Sequence, residues 1–148
     1  MDFKSATNNY PQHDSHISPP CNFTGNNLSP ITDHTKVSFD GAWLVVLCSA
    51  SLGVIRKIVD GHFGGWLAEK KIVSSALCAE AEAALLGISM ARDLGDCKVI
   101  FKSDSKILIS SINGNMGSGA WTILPLIREI RRRSSFFDYV EWRWIPHN

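Results

Sequence analysis

The repeat of apolar residues changes from two to about 3.6 near residue 76, and that switch fixes an order of elements few folds can accommodate. Before it, Val37 and Phe39 alternate with Lys36, Ser38 and Asp40, the pattern of a half-buried strand over 36–43. Gly41 follows, where a missing side chain lets the backbone approach a neighbour closely. A second strand is expected at about 51–58 and a third from His62 to Lys71, after the Asp60-Gly61 turn, giving an antiparallel meander. Beyond the switch, Leu77, Ala81, Ala84, Leu85, Ile88 and Ala91 recur at helical spacing over 76–92. Val99 to Ser103 reads as a short strand, and Asp104-Ser105 as the cap of a helix reaching about Ile112. Asn113 to Gly119 is a loop, 121–133 another helix and 137–145 a last strand. The order βββαβααβ predicts an α/β domain with a five-stranded mixed sheet flanked by helices.

At 148 residues the chain has room for one such domain, placed at 35–148. Residues 1–34 are rich in Asn, Ser, Pro and His, and read as a disordered or extended linker that would tether an upstream domain. The net charge of +1 conceals an uneven distribution. From Lys98 onward eight basic side chains face four acidic ones, a bias compatible with phosphate binding. Cys21, Cys48, Cys78 and Cys97 lack the close spacing of a zinc site and read as free thiols of a reducing compartment. The uncharged run 41–55 is too short to span a membrane, although Leu44 to Cys48 is apolar where a polar hairpin loop is expected. That stretch either extends the strands or covers an edge. No secretory signal is visible, so a cytoplasmic or nuclear protein without membrane association is expected.

Three carboxylates occupy informative positions: Asp40 ends the first strand, Asp104 the fourth, and Glu80 lies near the start of the first helix. Singly, each has an ordinary reading, as a turn aspartate, a helix cap and a first-turn glutamate. Together they would make a negative cluster that calls for a hard divalent cation, and so for metal-dependent phosphoryl transfer on nucleic acid. Glu82, about 200° further round the helix, should face water if Glu80 faces the sheet. Trp142 and Trp144 share a strand face and read as core, whereas Trp121 follows a glycine-rich loop and reads as exposed or as a helix-start anchor.

These blocks, in this order, resemble the ribonuclease H-like superfamily, most closely the plant reverse-transcriptase-like domains, over about residues 35–148. KVSFDGAW looks like the family's first-strand block and Leu52 to Arg56 like its second strand. Cys78 to Leu85 carries the Ala-Glu signature of the first helix. Phe101 to Ser105 resembles the fourth-strand block, with Lys102 where the family usually has Glu. Trp142 to Pro146 is similar to the last strand and the loop after it. The resemblance implies hydrolysis of the RNA strand of an RNA–DNA hybrid at two weakly held Mg²⁺ or Mn²⁺ ions. Asp40 would bridge the ions, Glu80 would hold one, and Asp104 would complete the set. Lys102, Lys106, Arg128, Arg131 and Arg132 would contact phosphates; the plain alternative for 131–133 is the solvated positive end of a helix.

The family's fourth carboxylate, on a closing helix, finds no counterpart before Asn148, and His147 stands where its loop carries a basic residue. An incomplete C-terminus therefore predicts weak or absent turnover, and an exposed apolar patch or self-association. The alternative function is a non-catalytic nucleic-acid-binding or protein-interaction module of the same fold.

Overall fold

The structure is a computed structural model that describes residues 34–117 and 119–146. The expected linker lies outside these residues apart from His34, which is buried against Tyr139, and His147 also lies outside them.

The elements follow the expected order. Strands β1 (Thr35–Leu44), β2 (Ser49–Lys57) and β3 (Phe63–Ile72) precede α1 (Ala76–Asp93), β4 (Lys98–Ser103), α2 (Lys106–Ile112), α3 (Leu124–Ser134) and β5 (Tyr139–Trp144). One five-stranded sheet has the order β3-β2-β1-β4-β5, antiparallel through the first three strands and parallel from β1 to β4 to β5. Parallel pairing of β1 with β4 needs a crossover, and α1 supplies it. Asp60 and Gly61 both take positive φ at the β2–β3 turn, as the sequence pair suggests. The expected helix over 121–133 divides into a 3-10 turn, Ala120–Ile123, and α3, which starts with a proline in its first turn.

Ser75 caps α1 by accepting from the Cys78 N–H at 3.0 Å. The helix is rich in alanine and carries Gly87 over Val37, so it lies close to the sheet while α3 packs on its other side. All three helices join one core with Val37, Phe39, Val54, Leu67, Phe101 and Trp142, which places them on a single face of the sheet. Phe101 and Trp142 stack at 4.4 Å, and Phe39 and Phe137 meet this pair edge-on. Alternate strand residues turn to the other face, where Ile55, Phe63 and Trp66 stay exposed. Among the described residues no helix follows β5 to cover them, and the expected apolar patch is present.

A nearly buried ion pair ties β2 to the turn after α1. Arg56 donates from Nε and Nη2 to the Asp96 carboxylate at 2.7 and 2.6 Å, and from Nη1 to the Gly64 carbonyl at 2.8 Å. The Thr35 hydroxyl donates to the same carboxylate at 3.2 Å.

Three expectations change. Of the two readings for Leu44 to Cys48, strand extension holds for Leu44, which ends β1, and edge cover does not hold: Val45–Leu47 form a 3-10 turn, and Leu44 to Leu47 are exposed at the hairpin tip. Glu82 does not face water; it is buried and paired with Lys71, because α1 is covered by the sheet on one side and α3 on another. Cys48 and Cys78 are free, but Cys97 is disulfide-bonded. Among the described residues no helix is long and apolar enough to cross a membrane.

Candidate metal centre

Asp40 lies four residues before the end of β1, opposite Gly53 of β2, and its side chain is exposed. Asp104 directly follows β4 and precedes α2. Because β1 and β4 pair in parallel, both strands deliver their carboxylates to the same end of the sheet. Glu80 arrives from the second turn of α1. Its height over Asp40 is set by main chain: a β-carbon at Gly41 would stand 2.5 Å from the Ala79 carbonyl carbon and oxygen and 2.9 Å from the Glu80 nitrogen. The strand and the helix are in backbone contact there, as the glycine at this position anticipates.

One oxygen from each of Asp40, Glu80 and Asp104 lies within 4.8 Å of the others. Such a cluster is costly without a cation, and Glu80 carries the cost. Its pKa is pushed from 4.5 up to about 8, first by burial, then by the charge of Asp40 and a hydrogen bond with it, with Asp104 adding to the effect. The Gly41 N–H opposes the shift by bonding to the carboxylate. The second oxygen, Oε2, is buried and has no hydrogen-bond partner. An octahedral Mg²⁺ with bonds of about 2.1 Å holds its oxygen ligands roughly 3–4 Å apart, so this oxygen-only set fits a hard divalent cation after small side-chain movements.

The raised pKa has a measurable consequence. Between about pH 4.5 and 8 the folded, metal-free protein binds more protons at Glu80 than the unfolded chain does. Stability from this group is therefore full below the unfolded pKa and is lost as pH rises through the folded one. Glu80→Gln should remove that slope, so that in a chelator its melting temperature gains on the wild type from pH 5 to pH 8. A gap that stays constant across the range would contradict the assignment. Cation binding at pH 7 should also release about one proton, visible by calorimetry in buffers of different ionisation enthalpy.

Asp104 does not cap α2; Ser105 holds the cap position, without a side-chain bond. The Ser103 hydroxyl instead accepts from the Ser105 N–H at 3.0 Å, which shapes the turn carrying Asp104. Asp40 and Asp104 open onto a trough of about 720 Å³ that continues past Lys102 to Ile55, Trp66 and Ile145 on the uncovered sheet face.

The basic residues expected at phosphates fall into two groups. Lys102 lines the trough, and Lys106 opens α2 two residues after Asp104. The Lys102 pKa is lowered, first by burial and then by the like charges of Lys36, Arg143 and Lys57. Those three neighbours were not singled out from the sequence, although strand alternation puts Lys36 and Arg143 on the non-core face. Arg128, Arg131 and Arg132 lie on α3 and do not line the trough. Arg131 donates to the Ser111 and Ile112 carbonyls at 2.6 and 3.1 Å, closing the C-terminus of α2. Arg132 pairs with Glu129, as does Arg133, while Arg128 is exposed. Trp121 is exposed, the first of its two readings, and Trp142 is core; Trp144, however, is 42% exposed at the end of β5.

A family described as reverse transcriptase-like matches residues 38–148. Solved structures with the same architecture include an RNase H1 from the halophilic archaeon Halobacterium salinarum, at 20% identity and TM-score 0.66, covering 77% of this chain and 86% of that one. The N-terminal RNase H domain of a Mycobacterium tuberculosis protein aligns at 18% identity and TM-score 0.69, covering 77% and 83%. LC11-RNase H1, solved in complex with an RNA/DNA hybrid, aligns at 16% identity and TM-score 0.68, covering 76% and 86%. At these identities the likeness is one of fold. No curated protein sequence matches the chain at a significant level.

Proposed function

Since the chain belongs to the reverse transcriptase-like family and has a ribonuclease H-like fold, we propose that it binds RNA–DNA hybrids and hydrolyses their RNA strand. The observation that carries this reading is the convergence of Asp40, Glu80 and Asp104 from three separate elements, with oxygens within 4.8 Å. These three would hold Mg²⁺ or Mn²⁺, two ions in the full arrangement, which supply a water of lowered pKa and neutralise charge on the phosphate.

The chain's own groups have distinct tasks. Asp40 is the exposed member and faces an incoming backbone, whereas Glu80 is the member that must give up a proton before it can serve as a ligand. Lys102 and Lys106 flank the carboxylates and would hold phosphates in register without reading base sequence. Arg128, Arg131 and Arg132, all exposed on α3, would contact phosphates beyond the trough, although Arg131 also bonds the end of α2 and Arg132 pairs with Glu129. A cytoplasmic or nuclear site of action and a tether through residues 1–34 complete the proposal.

A second reading, hybrid binding without turnover, rests on Lys102. Its side chain lines the same trough as Asp40 and Asp104, where a cation in place of the family's usual carboxylate would compete with a metal ion for the site. Cleavage of a labelled RNA–DNA hybrid with Mg²⁺ or Mn²⁺ separates the two. Hydrolysis that needs metal and falls at least ~100-fold in Asp40→Asn is the expected result. A folded protein that retains the hybrid yet never cuts it would leave the binding module as the function.

A further inference from the structure

Trp144 ends β5 with its ring half in solvent, although Trp142, two residues earlier on the same strand face, is buried in the aromatic core. Packing alone does not account for so large a side chain at an exposed strand end. Its polar edge is engaged: the indole Nε1–H donates to the carbonyl oxygen of Asp104 at 3.1 Å. Two further bonds hold the same junction, one from the Ile145 N–H to the Ser103 carbonyl at 2.8 Å, the other from the Ser105 N–H to the Ser103 hydroxyl at 3.0 Å. Of these three bonds, the indole's is the one that reaches the main chain of the carboxylate residue itself. On the ring's face lies the Lys106 ammonium, 5.3 Å from the centroid and within cation–π range. One side chain thus touches the backbone of a candidate ligand and the cation beside it.

We propose that Trp144 is a positioning residue of the metal centre, acting through Asp104 by its N–H and through Lys106 by its ring. The inference rests on Asp104 being a metal ligand, as proposed above. Loss of the N–H frees the Asp104 carbonyl to turn toward water, and the turn between β4 and α2 then holds its carboxylate less firmly. Loss of the ring frees Lys106, a long side chain whose ordering would otherwise be charged to substrate binding.

The two contacts can be cut separately. Trp144→Phe removes the N–H and keeps an aromatic face; Lys106→Met removes the cation and keeps the stem. Titration of the whole chain with Mn²⁺, without nucleic acid, should show Trp144→Phe binding roughly 2- to 10-fold more weakly, the worth of about one hydrogen bond. Lys106→Met should bind Mn²⁺ at least as well as wild type and instead lose affinity for the hybrid, with a salt dependence shallower by about one phosphate contact. In turnover, Trp144→Phe should lower kcat with little change in KM, and Lys106→Met should raise KM. A purely structural tryptophan would lower the melting temperature and leave this split absent.

Asp40→Asn is the reference. If it binds Mn²⁺ as well as wild type, the carboxylates are not the metal site and the functional reading fails. If it loses Mn²⁺ while folded Trp144→Phe keeps wild-type affinity and kcat, the positioning role alone is overturned. Should Trp144→Phe not fold, the wild-type indole N–H resonance decides. A shift on Mg²⁺ addition that saturates with the metal supports the role, and an unmoved resonance overturns it.

Discussion

Alanine at Gly41 should lower the stability of the domain by about 3 kcal/mol or more, a drop in melting temperature on the order of 10 °C, and should disturb the candidate metal centre as well. The added carbon would sit 2.5 Å from the main-chain carbonyl of Ala79, and a main chain cannot rotate aside as a flexible side chain can. Either β1 bends or the start of α1 lifts, and both movements separate Asp40 from Glu80. A displacement near 1 Å at a catalytic group costs up to about 100-fold in rate, so the proposed hydrolysis should suffer beyond the loss of folded protein. The control is next door. Gly53 pairs with Asp40 across the sheet, yet a β-carbon there meets nothing within 4 Å. Gly53→Ala should be close to neutral in thermal unfolding and in Mn²⁺ titration. Equal effects of the two substitutions would mean that the backbone contact is not what sets the site.

The second large effect is expected at Asp96→Ala. The Arg56 and Asp96 side chains are 13% and 7% exposed, and the arginine commits three nitrogens to partners. Removing the carboxylate leaves a nearly buried guanidinium without its counter-charge, which typically costs 3–5 kcal/mol, about 4 kcal/mol here. It also strands the Thr35 hydroxyl at the start of β1. The double variant Arg56→Met with Asp96→Leu should recover most of the loss, since two apolar groups of similar volume leave no charge uncompensated. Urea unfolding of the two single variants and the double one gives the coupling directly. An Asp96→Ala protein within about 1 kcal/mol of wild type would show the pair to be dispensable.

Sequence periodicity carried most of the architecture, because alternation and helical spacing are local properties. Val37 and Phe39 face the core as their alternation requires, and the switch at residue 76 coincides with the first residue of α1. The carboxylates could be grouped from the order of their elements, although only Asp104 stands at an element end: Asp40 lies four residues inside β1 and Glu80 in the second turn of α1. What depends on a second element was out of reach. Glu82 lies well round the helix from Glu80, but that direction leads to a groove shared with β2, β3 and α3, where Lys71 meets it. Arg131 looked like a free positive helix end and closes a neighbouring helix instead. The cluster of Lys36, Lys57 and Arg143 around Lys102 depends on strand register, which a single sequence does not state. Trp144 follows the core period of its strand, yet the strand ends where the core ends, leaving the ring for another purpose.

The strand order also bears on how the protein comes into being. The meander of β1, β2 and β3 joins neighbours in sequence and closes short loops, so it can form early. Pairing of β4 with β1 closes a much longer loop, because β2, β3 and α1 intervene in sequence, and β5 pairs with β4 in turn. Asp40 belongs to the early half and Asp104 to the late one. A chain arrested midway would carry a formed hairpin, a buried helix and no three-carboxylate cluster. The proposed metal affinity would thus need both halves of the sheet, and in a refolding experiment its return would report their union.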